Sequence, residues 1–311
     1  MQQTNAQYFD LSHFSLLEIT GKDAFSFLHS QLTCDLNDLD TNGWLFSAWC
    51  LPNGKVICTF FIFANDDSFF LILPSMLKDK ITKRLTMYVL RSEVTITDVS
   101  DNYAMFGLAG NNLKDILDST ITKTMSVTGN LLLAADFSIL QLWDKSPRYL
   151  LISKMEAVTE LLNNITVTCI SGERTTWSLM DIEAGIPWII NATSENFLPQ
   201  MLNLDQMHGL SFKKGCYPGQ EIIARLNYRG QLKKRLYLGS GETDITPGPG
   251  DRLKDKNTGT IVGEIIDAER NTSGGFEFLT VSESKYVNSK TLVLNDMSDA
   301  CIKLKSLTYP A

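Results

Sequence analysis

The sequence predicts an α+β protein that ends in a small antiparallel β-barrel or sandwich. Three observations carry that reading. Helical stripes and antiparallel strand patterns mingle over residues 1–110, without the regular strand–helix alternation of a parallel sheet. From Tyr237 onward, Gly239, Gly241, Pro247, Gly248, Pro249, Gly250, Gly259 and Gly263 punctuate short alternating runs, the texture of a small barrel. Finally, 311 residues exceed one ordinary core; domains run about 100–200 residues, so two or three are expected.

The elements follow in order. Phe25, Leu28, Leu32, Leu36 and Leu39 recur at helical spacings, which predicts a helix over Gly21–Leu39, with Thr20 and Asp23 as caps near its start. Trp44–Leu51 and Lys55–Phe63 are strand-like, and Pro52-Asn53-Gly54 supplies the hairpin turn between them. Asn65-Asp66-Asp67-Ser68 turns the chain into a strand at Phe69–Leu73, and Ser75 caps a helix over Ser75–Leu90. Glu93–Asp98, Tyr103–Leu108, Leu131–Ala134, Ser138–Trp143 and Tyr149–Ile152 read as strands. Lys154–Asn163 and Glu173–Ala184 read as helices, the second stopped by Gly185 and Pro187. Asn191–Ser211 is polar and without period, and long loops of this kind are often functional. Thr260–Ile266, Phe276–Ser282, Thr291–Asn295 and Cys301–Leu307 complete the strands, and a domain boundary falls near 231–236.

The net charge of −7 argues against a generic nucleic-acid binder, which needs many cation–phosphate contacts. The charge is unevenly spread. Lys213, Lys214, Arg225, Arg229, Lys233, Lys234 and Arg235 stand against Glu221 alone, a local +6 that leaves −13 for the rest of the chain. Such an island marks an anion site or a solvated basic loop. Six cysteines occur without CxxC or zinc spacing, so no metal site is expected. Most lie in apolar surroundings, as Cys58 does in VICTFFIF, and read as inert core thiols. MQQTNAQYFD lacks a basic and an apolar signal region, and no apolar run approaches the ~18 residues of a membrane span. These features predict a cytoplasmic protein with reduced thiols.

The stretch KKGCYPGQEIIARLNYR, from Lys213 to Arg229, concentrates the chemistry. Pro218 is placed for the first turn of a helix running to Leu226, and Gly215 and Gly219 let backbone amides approach a ligand. A helix start attracts anions. Cys216 therefore precedes a helix start and neighbours two lysines, both of which favour a thiolate. Read by itself, Cys216 is either a reactive thiol or a small residue filling a tight turn, and no histidine is visibly paired with it.

Lys214-Gly215-Cys216-Tyr217-x-Gly219-Gln220-Glu221 resembles the signature of YgfZ-type proteins, folate-binding relatives of the glycine-cleavage T-protein, an aminomethyltransferase. Further segments resemble the same family: Gln31-Leu32-Thr33-x-Asp35, the Trp44–Phe63 hairpin, Ile182-Glu183-Ala184-Gly185-Ile186-Pro187, Phe197-x-Pro199-Gln200, Gly209-Leu210-Ser211-Phe212, and the exit at Ala224-Arg225 and Arg229-Gly230. The resemblance implies two α/β subdomains of aminomethyltransferase type around a central folate cavity, over 1–235 and split near 100–120, then a C-terminal antiparallel β-barrel over 236–311. It implies tetrahydrofolate or a derivative as cofactor. It also implies a role in maintaining iron–sulfur enzymes, including tRNA-modifying ones, with those enzymes or their assembly machinery as partners.

Departures from the family pattern qualify it. Where the T-protein has a catalytic aspartate after the hairpin glycine, this chain has Lys55-Val56-Ile57-Cys58-Thr59, which offers no carboxylate to activate a folate nitrogen or substrate amine. The T-protein also has an aspartate near the place of Cys216. In addition, Asp181 stands where related chains often carry arginine; two residues from Glu183 on a helix, it is expected on a different face. By resemblance, Cys216 is the functional thiol, and Glu183, Lys214, Gly215, Tyr217, Gly219, Gln220, Glu221, Arg225 and Arg229 hold the cofactor. Glu183 is suited to accept from a pterin's N3–H and 2-amino group. Arg225, Arg229 or Lys214 suits a glutamate tail, and the same cations suit RNA phosphate. Tyr217 and Tyr228 suit stacking on either ring system, whereas Trp177 reads as a core aromatic. Three functions therefore stand side by side: a folate-binding accessory protein for iron–sulfur enzymes, a folate-dependent one-carbon transferase, and a module that contacts tRNA directly.

Overall fold

The computed structural model describes residues 6–113, 116–117, 126–166, 169–242, 245–295 and 302–309. Their strands are β1 Gln7–Asp10, β2 Phe14–Thr20, β3 Trp44–Cys50, β4 Val56–Asn65, β5 Ser68–Pro74, β6 Thr95–Asp98, β7 Tyr103–Ala109, β8 Ser126–Thr128 and β9 Leu131–Leu133. The series continues with β10 Phe137–Leu142, β11 Arg148–Lys154, β12 Ile170–Ser171, β13 Lys234–Gly241, β14 Arg252–Asp255, β15 Ile261–Arg270, β16 Phe276–Glu283, β17 Leu292–Leu294 and β18 Lys303–Ser306. The helices are α1 Ala24–Gln31, α2 Leu39–Asn42, α3 Lys78–Val89, α4 Met155–Thr166, α5 Arg174–Ala184 and α6 Gln220–Arg229.

The chain divides into two compact units. The first comprises Met1–His29, Asp35–Phe46 and Phe60–Trp177; the second comprises Ser30–Cys34, Ser47–Thr59 and Ser178–Ala311. In the first unit a seven-stranded sheet runs in the order β12-β1-β7-β11-β10-β9-β8, antiparallel except where β1 lies parallel to β12. Ile139, Leu151, Leu108, Ile165 and Cys169 fill the core against it. A five-stranded sheet has the order β3-β4-β5-β2-β6. The strand sequences WLFSAWC and VICTFFIF are buried at every position, the continuous apolar run expected of strands covered on both faces. Gly54 takes the turn between them at φ +79, where a Cβ is disfavoured.

The second unit contains a six-stranded antiparallel sheet in the order β17-β14-β15-β16-β13-β18. It is a curled half-barrel, because β17 and β18 remain as edges rather than pairing to close it. Phe276, Phe278, Ile265, Val262, Leu253 and Leu294 form its core. The α+β class with a C-terminal barrel-like sheet thus holds.

Several local expectations are corrected. The helix expected over Gly21–Leu39 ends at Gln31. Leu32 bridges to Trp49, the Thr33 amide donates to Ala48 O at 3.0 Å, and the Cys34 amide donates to Ser47 Oγ at 3.1 Å. Those partners satisfy the backbone better than another helical turn would. Asp23 takes the Glu93 amide on its carboxylate at 2.8 Å, and Ser75 takes the Ser15 hydroxyl at 2.9 Å, so tertiary contacts occupy two of the three expected caps. Strands β1, β2, β8, β12, β13 and β14 were not anticipated. The last expected strand begins at Cys301, which lies outside the described residues, and β18 runs from Lys303.

Candidate functional site

The KGCYPGQE segment lies in the second unit, pinned at residues on either side of its cysteine. Lys214 is only 9% exposed. Its Nζ donates to the carbonyls of Leu32 at 2.8 Å and Cys34 at 2.6 Å, and lies 5.3 Å from the centre of the Tyr217 ring. Those carbonyls belong to the stretch that leaves helix α1. Tyr217 is buried, and its hydroxyl donates to Ser211 O at 3.1 Å. Burial pushes the Tyr217 phenol well above its ordinary value, and neighbouring Cys50 adds to the shift. Burial likewise raises the Cys50 thiol, with Cys58 contributing. Ser211 ties the frame together: its hydroxyl accepts from the amides of Lys213 and Lys214 at 3.3 and 3.2 Å, and its own amide donates to Thr33 O at 2.8 Å.

Between these anchors, Gly215 and Cys216 are exposed. A Cβ placed on Gly215 would meet nothing within 4 Å. Cys216 is the one exposed thiol among the described residues; Cys34, Cys50, Cys58 and Cys169 are buried, and Cys301 lies outside that set. One expectation for this stretch is corrected. Helix α6 begins at Gln220, capped by Gly219 at φ +82, so Pro218 precedes the helix instead of opening it. The Lys214 ammonium is committed to backbone carbonyls. Gly219 is required for a second reason, since its Cβ would fall 2.5 Å from Gly54 Cα and 2.7 Å from Leu51 O. The start of α6 therefore seats on the hairpin turn. Gln220 Nε2 reaches Lys214 O at 3.4 Å, and Gln200 Nε2 donates to Ile223 O at 2.7 Å, tethering α6 from the preceding loop.

The strand after the hairpin turn carries no carboxylate in its first half. Val56, Ile57 and Cys58 are buried. The Thr59 hydroxyl donates to Pro187 O at 2.8 Å and accepts from the Ile189 amide at 3.0 Å. This joins β4 to the segment that follows α5. Lys55 is bonded to Asn196 O, and burial is the main influence holding its pKa below the ordinary value.

Helix α5 ends at Ala184 with Gly185 at φ +75, as its sequence predicts. Asp181 is 3% exposed and accepts from Trp188 Nε1 at 2.9 Å. Glu183 is only partly buried, and its carboxylate forms no hydrogen bond or ion pair among the described residues. The Tyr309 hydroxyl donates to Gly185 O at 3.1 Å, fastening the C-terminal tail to the end of this helix. Trp177, in the first unit, is a core aromatic: it packs on Phe9 at 5.4 Å, with the Arg148 guanidinium 4.7 Å over its ring.

Glu221, Arg225 and Arg229 are exposed on α6. Tyr228 is 68% exposed and meets Phe212 edge-on at 6.2 Å. Arg235, in the same basic run, is bound bidentately to Asp205 at 2.9 Å through both nitrogens. Lys214, Tyr217 and Gln220 are thus brought together as a frame, Gly219 seats that frame on the hairpin, and among the described residues no bond links Glu183 to it. Sequence reasoning missed Thr33, Ser211, Gln200 and Asp205 as supports. Each is a common polar residue whose partner lies far along the chain, and only the matched segments around Thr33, Gln200 and Ser211 gave any signal.

The GCVT N-terminal domain family matches residues 1–132. The tRNA-modifying protein YgfZ of Blochmanniella pennsylvanica is 34% identical over 256 residues, covering 79% of this chain and 77% of its own length. The Buchnera aphidicola (Schizaphis graminum) protein of the same name is 36% identical over 247 residues, covering 79% and 77%. That of Pectobacterium atrosepticum is 29% identical over 309 residues, covering 99% and 92%. Among solved structures, the glycine cleavage system aminomethyltransferase T of Bartonella henselae superposes with a TM-score of 0.79 at 15% identity, over 98% of this chain and 86% of that one, a likeness of fold.

Proposed function

Because this chain belongs to the YgfZ family, built on the aminomethyltransferase T fold, we propose that it binds a tetrahydrofolate and supports tRNA modification by sustaining iron–sulfur enzymes through Cys216. The observation that carries the folate part is Glu183. A partly buried carboxylate in the last turn of a helix faces an unfavourable dipole, and this one has no partner among the described residues. A pterin's N3–H and 2-amino group would supply the two donors it lacks. When bound, a tetrahydrofolate supplies a carrier for one-carbon units. The chain's own part is to hold and present. Gly185 and Tyr309 fix the helix end that offers Glu183, while Lys214, Tyr217 and Gln220 fix the loop that offers the Cys216 sulfur. Lys214 and Tyr217 act in this reading as positioning residues, their polar ends being turned to protein carbonyls.

A one-carbon transferase is disfavoured by the apolar, buried Val56-Ile57-Cys58 where a base is needed. Calorimetry with tetrahydrofolate tests the folate part. Binding is expected, weakened about tenfold or more in Glu183→Gln by the loss of charge-assisted bonds. Absence of binding by the intact chain removes it. Complementation of a strain lacking the gene tests the thiol: Cys216→Ser at normal protein level is expected to fail, and full complementation removes the thiol's role.

A further inference from the structure

We propose that the exposed face of α6, together with Phe212-Lys213 beside it, is a contact surface for unpaired nucleotides of an RNA. The inference deepens the function proposed above and rests on its placement of the chain in tRNA modification. Tyr228 is 68% exposed, and its ring meets Phe212 at 6.2 Å and 67°. One ring is thus braced by the other while remaining open to solvent. Lys213, Arg225, Arg229 and Lys233 surround the pair in sequence, and all four are exposed. None of the four makes an ion pair among the described residues.

That absence is not for want of a carboxylate. Glu221 stands four residues before Arg225 on the same helix, the spacing that best suits such a pair, yet no bridge joins them. Elsewhere exposed lysines do pair, as Lys22 does with Glu93 and Lys285 with Glu283. Arg235, two residues beyond Lys233, is spent on Asp205. The helical spacing of 225, 228 and 229 puts two guanidinium groups and the open ring on one face. Cations that track phosphates beside an aromatic on which a base can stack are what single-stranded nucleic acid requires. The rest of the chain, at about −13, repels phosphate and confines contact to this patch. An acidic polypeptide or a folate glutamate tail would use the cations and leave the braced rings without a task.

Fluorescence anisotropy of the full-length protein with bulk tRNA, from about 50 to 200 mM salt, tests this. Binding should fall with salt, and Arg225→Gln with Arg229→Gln should reduce the log–log slope by about 1.4, at ~0.7 per single-strand phosphate. Tyr228→Ala should weaken binding about fivefold or more at every salt, and Tyr228→Phe should keep it, because stacking needs the ring and not the hydroxyl. No binding by the intact chain at low salt, or binding that these variants leave unchanged, overturns the proposal. So does a poly-glutamate peptide, or a polyglutamyl folate, that binds in place of tRNA and is insensitive to Tyr228→Ala. Tetrahydrofolate calorimetry on the same preparations reads the folate site separately: folate binding without tRNA binding overturns the RNA surface alone.

Discussion

Lys214 shows how a residue's role depends on where its charge ends. In sequence it stands beside Cys216 as a cation for an anion or a thiolate. In the fold its ammonium satisfies two carbonyls from a distant loop and packs on Tyr217. Lys214→Met should therefore destabilise the protein by about 2–4 kcal/mol in urea unfolding, since buried carbonyls lose charged donors. Cys216→Ser, at an exposed position, should stay within about 0.5 kcal/mol of the parent while losing complementation. His13 offers a pH test. Burial first, then Arg174, lowers its pKa from 6.5 to about 4, with Asp10 opposing. Between those values the unfolded chain binds more protons than the folded one. The stability from neutral His13 is thus fully present above about pH 6.5 and is lost as pH falls toward 4. His13→Gln should flatten the urea midpoint against pH across that window.

At the scale of elements, the site is a joint between a hairpin turn and a helix start. Gly219→Ala combines a φ of +82 with a Cβ 2.5 Å from Gly54 Cα, so a loss of about 2–4 kcal/mol is expected. Gly215→Ala is the control: its Cβ meets nothing within 4 Å, and stability should change by no more than about 1 kcal/mol. A melting experiment on the two variants separates a packing requirement from general loop sensitivity. The end of α5 is a second joint. Burial raises the Tyr309 phenol well above its ordinary value, and its hydroxyl bonds to Gly185 O. Tyr309→Phe should cost about 1 kcal/mol and weaken tetrahydrofolate binding through Glu183, with the folate stoichiometry unchanged.

At the scale of the whole molecule, each compact unit is assembled from separated stretches. The second unit takes Ser30–Cys34 and Ser47–Thr59 from the first part of the chain. Within it, Lys214 bonds Leu32 and Cys34, Ser211 bonds Thr33, and the Val56 amide donates to Phe197 O at 2.8 Å. A fragment of residues 178–311 leaves those groups without partners. It should show no cooperative unfolding by circular dichroism, and co-expression with residues 1–177 should restore it. A cooperative, native-like transition in the isolated fragment would show that the inserted stretches are dispensable.

Local conformation was legible wherever a residue type leaves the backbone little choice. Gly54 turned the hairpin, Gly185 ended α5, and the apolar run from Val56 to Phe63 announced a strand. The family was legible in KGCYPGQE, which also singled out the exposed Cys216. Strands β1 and β2 escaped notice because their pairing is with distant β7, β12, β5 and β6. The helix over Gly21–Leu39 was over-extended because its apolar spacing persists past Gln31, while the backbone finds partners in the hairpin. The sequence by itself therefore determined the class, the family and the chemically distinctive thiol. Only the tertiary structure decided which cations are struts and which face solvent. A charge's identity is encoded locally, but the groups that satisfy or neglect it arrive from elsewhere in the chain.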